Sequence, residues 1–145
     1  KYGVDETRLR LLDFNPSRDG HLETYHQVDI ALDPFPYNGT TTSFEALWMG
    51  VPFISKKGDR HCARVGMSLL KSIGLEEFIA ESNEEYVQKA VAIAANREKL
   101  LKIKLGLRER MKESVLCDHE RFARHFGNAL RDMWRQWCKA KQEKV

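Results

Sequence analysis

This chain reads as a parallel α/β sheet that gives way to a run of helices, and three observations support that reading. Short apolar runs at 28–32, 51–55 and 78–80 are bounded by turn residues, the pattern of strands covered on both faces. The segments between them, 42–49 and 62–73, carry helical spacing and stop at Gly50 and Gly74. From Asn83 onward only helical spacing recurs. Strands alternating with helices imply a parallel sheet joined by right-handed crossovers.

The elements follow in order. Arg8–Phe14 (RLRLLDF) mixes alternating polarity with apolar residues, ends before Asn15-Pro16 and predicts a first strand. Ser17 or Asp19 opens a helix through about Gln27. Val28–Leu32 predicts a strand covered on both faces. Thr42–Met49 predicts a helix, with Trp48 at helical spacing from Phe44 and expected in the core. Val51–Ser55 is the next strand, and Lys56–His61 a basic, Gly-containing loop. Cys62–Ile73 is a helix, and Phe78–Ala80 a last short strand. Ser82 or Asn83 caps a helix with Tyr86, Ala90, Ile93 and Ala94 on its apolar side. Arg97–Ser114 is a second helix with Leu100, Leu101, Ile103, Leu107 and Met111. Asp118 or His119 opens a third, through about Lys141, whose stripe is Phe122, Phe126, Leu130, Met133 and Trp137. Trp134 and Trp137 are expected to pack, within this unit or against another lobe. The last residues, KAKQEKV, read as solvated. Residues 1–145 thus form one unit, with an α/β part at 8–80 and helices at 83–142.

Composition narrows the functional classes. A chain of 145 residues, 42% hydrophobic and 31% charged, suits a soluble domain with a real core. A net charge of +3 is too small to argue for a nucleic-acid partner. The three cysteines, Cys62, Cys117 and Cys138, lie far apart with no zinc spacing, which argues for a reducing compartment and against a structural metal. No apolar run approaches the ~20 residues of a membrane-spanning helix. Lys1–Thr7 lacks the apolar core of a signal peptide. The expectation is a cytoplasmic location with no membrane partner.

The chemistry concentrates in Val28–Pro52, VDIALDPFPYNGTTTSFEALWMGVP. An apolar run ends in Asp33, a Pro/Asn/Gly turn follows, and three threonines precede an amphipathic helix. Hydroxyls and free backbone N–H groups at a helix N-terminus suit a phosphate. Ligands of parallel sheets sit beyond the carboxyl ends of the strands. The loops Asn15–His21, Asp33–Thr42 and Lys56–Arg64 each follow a predicted strand, so connectivity places them on one edge. They carry Arg18, His21, Thr40, Thr41, Thr42, Lys56, Lys57, Arg60, His61 and Arg64, a cationic, hydroxyl-rich rim suited to a diphosphate. Two of these features have a plainer alternative. Thr42 with Glu45 also forms a capping box. Asn38-Gly39 is also a turn that needs positive φ.

NGTTTSFEALWMGVP, preceded by VDIALDPFPY and followed by Gly58 with Arg64-Val65, resembles the O-linked N-acetylglucosamine transferase family, in particular its SPINDLY-like and bacterial TPR-linked members. The closing SVLCDHERFARHFGNALRDMWRQW is similar to the family's last helix. The resemblance spans about Arg8 to Trp137. It implies a GT-B glycosyltransferase, with two Rossmann-like domains facing a cleft and tetratricopeptide repeats ahead of them. This chain would be the C-terminal part of the nucleotide-sugar-binding domain. The amino-terminal catalytic domain, the repeats and the first strands would lie outside it.

The resemblance also implies roles. Thr41 and Thr42 match the pair that holds the donor diphosphate, and Glu45 a carboxylate that reaches the ribose. Arg18 matches a lysine on the ribose and phosphate side, and His21 a histidine near the base. Thr40, Thr24 and Pro16 depart from the animal enzymes, which carry a histidine near the diphosphate, an arginine near the uracil and a different residue beside the base. Base (UDP or GDP) and sugar (GlcNAc or fucose) therefore stay open. The donor-site candidates are Arg18, His21, Asn38, Gly39, Thr40, Thr41, Thr42, Glu45, His61 and Arg64. Asp29 and Asp33 form no Asp-x-Asp motif, so no catalytic metal and no cofactor beyond the donor are expected. Thr41, Thr42 and Arg18 are the groups chosen to stabilise the leaving diphosphate. No residue stands out as the general base, and the acceptor protein is expected to meet the missing domains, so the chain alone should transfer little sugar. If the first strands are missing, Val28–Leu32 has an open edge. That predicts a homodimer or a rearranged amino-terminal segment. A non-catalytic nucleotide- or phosphate-binding module is the alternative.

Overall fold

The computed structural model describes residues 3–13 and 15–142. Three short strands form a parallel sheet: β1 (Ala31–Leu32), β2 (Phe53–Lys56) and β3 (Ile79–Ala80), in that order across the sheet. Ala31 and Leu32 pair with Phe53 and Ile54, and Ser55 and Lys56 pair with Ile79 and Ala80. Before the sheet comes α1 (Arg18–Thr24), capped by Ser17, whose Oγ accepts the Gly20 N–H at 3.0 Å. The crossovers are α2 (Thr41–Trp48) and α3 (Val65–Ser72). Then follow α4 (Asn83–Ala95), α5 (Arg97–Glu113) and α6 (His119–Gln142). Ser82 caps α4, Asn96 caps α5, and the Asp118 carboxylate accepts the Arg121 N–H at the start of α6. Chain order and element types are those expected of an α/β sheet followed by helices.

The core sits around β2, the middle strand. Phe53, Ile54 and Ser55 are buried, covered by α3 and α4 with α2 alongside. Leu47 of α2, Leu70 of α3 and Leu107 of α5 are fully enclosed. On α5, Leu100, Ile103, Leu107 and Met111 form the inward stripe, while Leu101 points outward. Gly50 ends α2 at φ +79°, and a Cβ there would come within 3.1 Å of the Lys104 carbonyl of α5.

Four expectations are corrected. Residues 8–13 form no strand: a 3-10 turn spans Glu6–Arg8, the following residues have no ladder partner, and Leu11 is 97% exposed. A strand needs a neighbour, and none is present for it among the described residues; Phe14 lies outside them. Val28–Leu32 shortens to two paired residues at the sheet edge, with Leu32 exposed, because only β2 lies beside it. The predicted helix 62–73 divides into a 3-10 turn, His61–Ala63, and α3. Within this unit the stripe of α6 is not packed: Phe122, Phe126, Leu130, Met133, Trp134 and Trp137 are all exposed, so of the two expected packing partners only another lobe remains. They stack on one another along the helix instead, with ring centroids 5.7 Å apart for Phe122–Phe126 and 5.1 Å for Trp134–Trp137.

Candidate donor-binding corner

The chain leaves β1 at Asp33, turns through 34–40 and begins α2 at Thr41. Thr40 is the N-cap residue, and its side chain makes no capping bond. The first intrahelical bond is Phe44 N–H to the Thr40 carbonyl, at 3.0 Å. Among the described residues, the N–H groups of Thr41, Thr42 and Ser43 have no acceptor. The hydroxyl-bearing residues Thr40, Thr41 and Thr42 are exposed around them. Such an end carries the positive pole of the helix and leaves unsatisfied donors pointing outward. The capping-box alternative fails: Thr42 lies inside the helix, and Glu45 reaches elsewhere.

A polar framework behind the surface holds this corner. Asn38 is buried; its Nδ2 donates to the Pro34 carbonyl and its Oδ1 accepts the Gly66 N–H of α3 at 3.3 Å. The Asn38 N–H donates to the Cys62 carbonyl at 2.8 Å, which joins the two loops beyond β1 and β2. The Asn38 side chain is therefore spent on the loop and not offered to a ligand. Gly39 does not take positive φ, contrary to the turn expectation. Crowding favours glycine there: a Cβ would stand 2.5 Å from Ser43 Oγ and 2.8 Å from Thr42 Oγ1, and both hydroxyls would have to turn away.

α1 closes the other side. His21 Nε2 lies 3.0 Å from Glu45 Oε2, and the Tyr25 hydroxyl donates to the Thr42 carbonyl at 3.2 Å and approaches Glu45 Oε2 at 3.4 Å. The His21 and Tyr25 rings meet edge to face at 5.6 Å. Burial and the Glu45 carboxylate both push the Tyr25 phenol up from its ordinary value. Arg18 is exposed and makes no hydrogen bond or ion pair among the described residues. A cavity of about 190 Å³ opens beside Tyr25, Asp33, Gly39 and Thr42. A second, of about 340 Å³, is bounded by Arg18, Phe44, Glu45, Trp48 and Cys117. Trp48, expected in the core, is partly exposed on that cavity under the Arg108 guanidinium, because Arg108 of α5 anchors on its carbonyl at 2.8 Å.

The structure thus brings His21 and Glu45 together directly, reaches Thr42 through the Tyr25 hydroxyl, and ties Asn38 and Gly39 into the turn beside them. His61, in its 3-10 turn, and Arg64, at the N-cap of α3, are exposed on the neighbouring loop. Lys56 and Lys57 are engaged elsewhere: Lys56 bonds Asn83 Oδ1 at 2.8 Å and covers the Phe35 ring, and Lys57 pairs with Glu81 at 2.9 Å. Asn15–His21 follows no strand, yet α1 still reaches the corner through His21 and Tyr25. Sequence reading placed Asp33 at the start of the loop without a role and missed Ser55 and Tyr25 as parts of the corner. A polar Ser55 inside the apolar FIS run, and Tyr25 one helical turn after His21, were the available signals.

Comparison with known proteins bears on family and fold. The model of glycosyl transferase family 41 matches residues 1–126. A tomato (Solanum lycopersicum) protein described as a probable UDP-N-acetylglucosamine–peptide N-acetylglucosaminyltransferase SPINDLY is 41% identical over 136 residues, 94% of this chain and 15% of that protein. The Caenorhabditis elegans UDP-N-acetylglucosamine–peptide N-acetylglucosaminyltransferase is 25% identical over 135 residues, 93% of this chain and 12% of its own. Among solved structures, a mutant O-GlcNAc transferase of Thermobaculum terrenum superposes with a TM-score of 0.87 at 38% identity, over 95% of this chain and 26% of that one. The chain therefore spans about 15% of the length of the tomato relative.

Proposed function

This chain belongs to glycosyl transferase family 41, and from that premise we propose that it forms the donor-diphosphate side of a GT-B protein O-glycosyltransferase. The uncapped start of α2 carries the reading: three N–H groups without acceptors among the described residues, framed by exposed threonines, at the carboxyl edge of a parallel sheet. The donor is a UDP- or GDP-sugar, with GlcNAc or fucose as the transferred sugar and Ser or Thr hydroxyls of a protein as acceptors. The curated relatives are named for UDP-N-acetylglucosamine, which favours UDP and GlcNAc.

In transfer, negative charge builds on the departing diphosphate. Thr41 and Thr42 supply hydroxyls and amides, the helix dipole adds to them, and the exposed Arg18 guanidinium, which has no partner among the described residues, is the cation assigned to the leaving diphosphate. Glu45, already oriented by His21 and Tyr25, is held to receive the ribose hydroxyls. The role of this chain is to bind and orient the donor, and proton removal from the acceptor falls to groups outside it.

Calorimetric titration with UDP, GDP and their sugar conjugates tests the reading, with the Thr41→Val/Thr42→Val double variant as control. Loss of two hydrogen bonds to a charged group, about 1.5–3 kcal/mol each, predicts at least a tenfold weaker nucleotide. Equal affinity in the double variant removes the assignment of this site.

A further inference from the structure

Asp33 is the first residue beyond β1, and it is 5% exposed. Both carboxylate oxygens are in use: Oδ1 accepts the Gly39 N–H at 2.8 Å, and Oδ2 accepts the Ser55 hydroxyl of β2 at 2.6 Å. Its main chain is tied as well, with the N–H on the Ile54 carbonyl at 2.9 Å and the carbonyl under the Tyr86 hydroxyl of α4 at 2.9 Å. One residue thereby links β2, α4 and the turn that opens α2. The side facing α3 is closed. A Cβ on Gly66 would meet Oδ2 at 2.3 Å and Ser55 Oγ at 2.2 Å.

A buried carboxylate is unfavourable unless hydrogen-bonded, and burial does push this one up while its two donors pull it down. The surrounding geometry explains why an acid stands here. Both groups that face it are donors, and a carboxylate accepts from both. An amide of the same shape offers Gly39 a neutral acceptor in place of a charged one, and its other arm only donates, so the Ser55 hydroxyl must turn to accept and gives up the charge-assisted bond it makes to the acid. A negative side chain beside an anion site is also costly unless it points away. Asp33 points inward, at Ser55 and at the back of Gly39, not toward the exposed threonines.

We propose that Asp33 is a positioning residue for the donor diphosphate, fixing the turn through the Gly39 amide so that the N-terminal amides of α2 are set before the ligand arrives. This rests on reading the turn 38–42 as the diphosphate site. Preorganised donors bind an anion without the ordering cost that a loose turn would incur. The role is indirect: Asp33 touches the turn and not the ligand.

The test compares the full chain with its Asp33→Asn and Ser55→Ala variants. Affinities are measured for UDP and GDP, and for uridine and guanosine by competition, with circular dichroism to follow the fold. Asp33→Asn is expected to weaken whichever diphosphate binds by about tenfold, the size of one or two net hydrogen bonds, and to leave the nucleoside in place. The diphosphate-to-nucleoside ratio therefore falls, and in Ser55→Ala it falls less but in the same direction. A purely structural role would lower both affinities together with the melting temperature and leave the ratio alone, and that result overturns the proposal. If Asp33→Asn does not fold, Ser55→Ala decides by the same ratio. A wild-type chain that binds neither diphosphate sinks the donor-site reading itself. A wild-type chain that binds, with an unchanged ratio in both variants, sinks only the role of Asp33.

Discussion

The corner at 33–66 and the helix α6 depart from the usual inside–outside rule in opposite senses. In the corner, polar side chains are inside: Asp33, Asn38, Ser43 and Ser55 are the buried polar residues among those described. On α6, apolar side chains are outside: not one of its residues is buried, and Trp137 is 53% exposed. The corner is complete within this chain, because each of its buried side-chain polar atoms has a partner among the described residues. The helix is incomplete, because nothing among the described residues covers its apolar stripe. A site built from buried, satisfied polar groups holds its own shape. An uncovered amphipathic helix is held mainly by its backbone and by contacts between neighbouring turns.

The contrast is sharpest at two glycines, where the largest effect is expected. Gly66 has no room for a methyl group, with Ser55 Oγ and Asp33 Oδ2 at 2.2 and 2.3 Å from the position a Cβ would take. Gly66→Ala must push the buried Asp33–Ser55 pair apart, and a loss of about 1–3 kcal/mol is expected from overpacking. Gly127, in α6, has nothing within 4 Å of the same position. Gly127→Ala should raise helicity and stabilise α6 by up to about 1 kcal/mol, the intrinsic difference between the two residues. Urea denaturation and far-ultraviolet circular dichroism of the two variants check the pair. Equal effects at both sites would erase the distinction between the regions.

Much of this was legible beforehand, for physical reasons that differ by element. Helices with a capping residue and a stripe that meets the core, such as α4 behind Ser82 and α5 behind Asn96, were read to within a residue at their starts. The strand proposed at 8–14 failed because a strand is a pairing property, and local alternation does not supply a neighbour. The stripe of α6 was read correctly as a stripe; periodicity fixes a face but not what covers it. In the corner, the threonines announced themselves by composition. Asp33 did not, since a single acid after a strand looks like any turn residue until Ser55, Gly39 and Gly66 converge on it from distant parts of the chain. Tyr25 was hidden in the same way, its contact with Glu45 depending on how α1 lies on α2.

A smaller effect distinguishes buried from surface acids. The folded-state carboxyl of Asp33 lies above its ordinary value of 3.8, chiefly through burial. Stability from such a group is fully present below the unfolded value and is lost as pH rises through the folded one. Asp29 behaves oppositely: its hydrogen bond with Lys104, at 2.9 Å, holds it below 3.8, so its contribution is present above that value and fades as pH falls. Tyr86, the titratable group facing Asp33 from α4, is itself raised from 10.0 and stays protonated throughout this window. Melting curves taken upward from pH 3.8 should therefore move in favour of Asp33→Asn relative to wild type. For Asp29→Asn they should move against the variant. Slopes of the same sign in both variants would mean that Asp33 is not buried in solution as it is here.

The smallest expected effect is also the one that most tests the account of α6. Phe126, Met133 and Trp137 are large, apolar and exposed, so changing all three to Gln removes little burial from the folded state. The unfolding free energy should move by no more than about 0.5 kcal/mol, as for ordinary surface positions. Affinity for UDP or GDP should not change, because the corner draws no residue from α6. Analytical ultracentrifugation of the wild type and the triple variant across a concentration series adds the decisive comparison. A monomeric wild type with unchanged stability in the variant leaves α6 as an uncovered face. A loss well above 1 kcal/mol, or a concentration-dependent stability that the variant abolishes, would mean that the stripe is covered in solution, either by the rest of this chain or by a second copy. The two regions would then differ only in what fills them and no longer in whether they are complete.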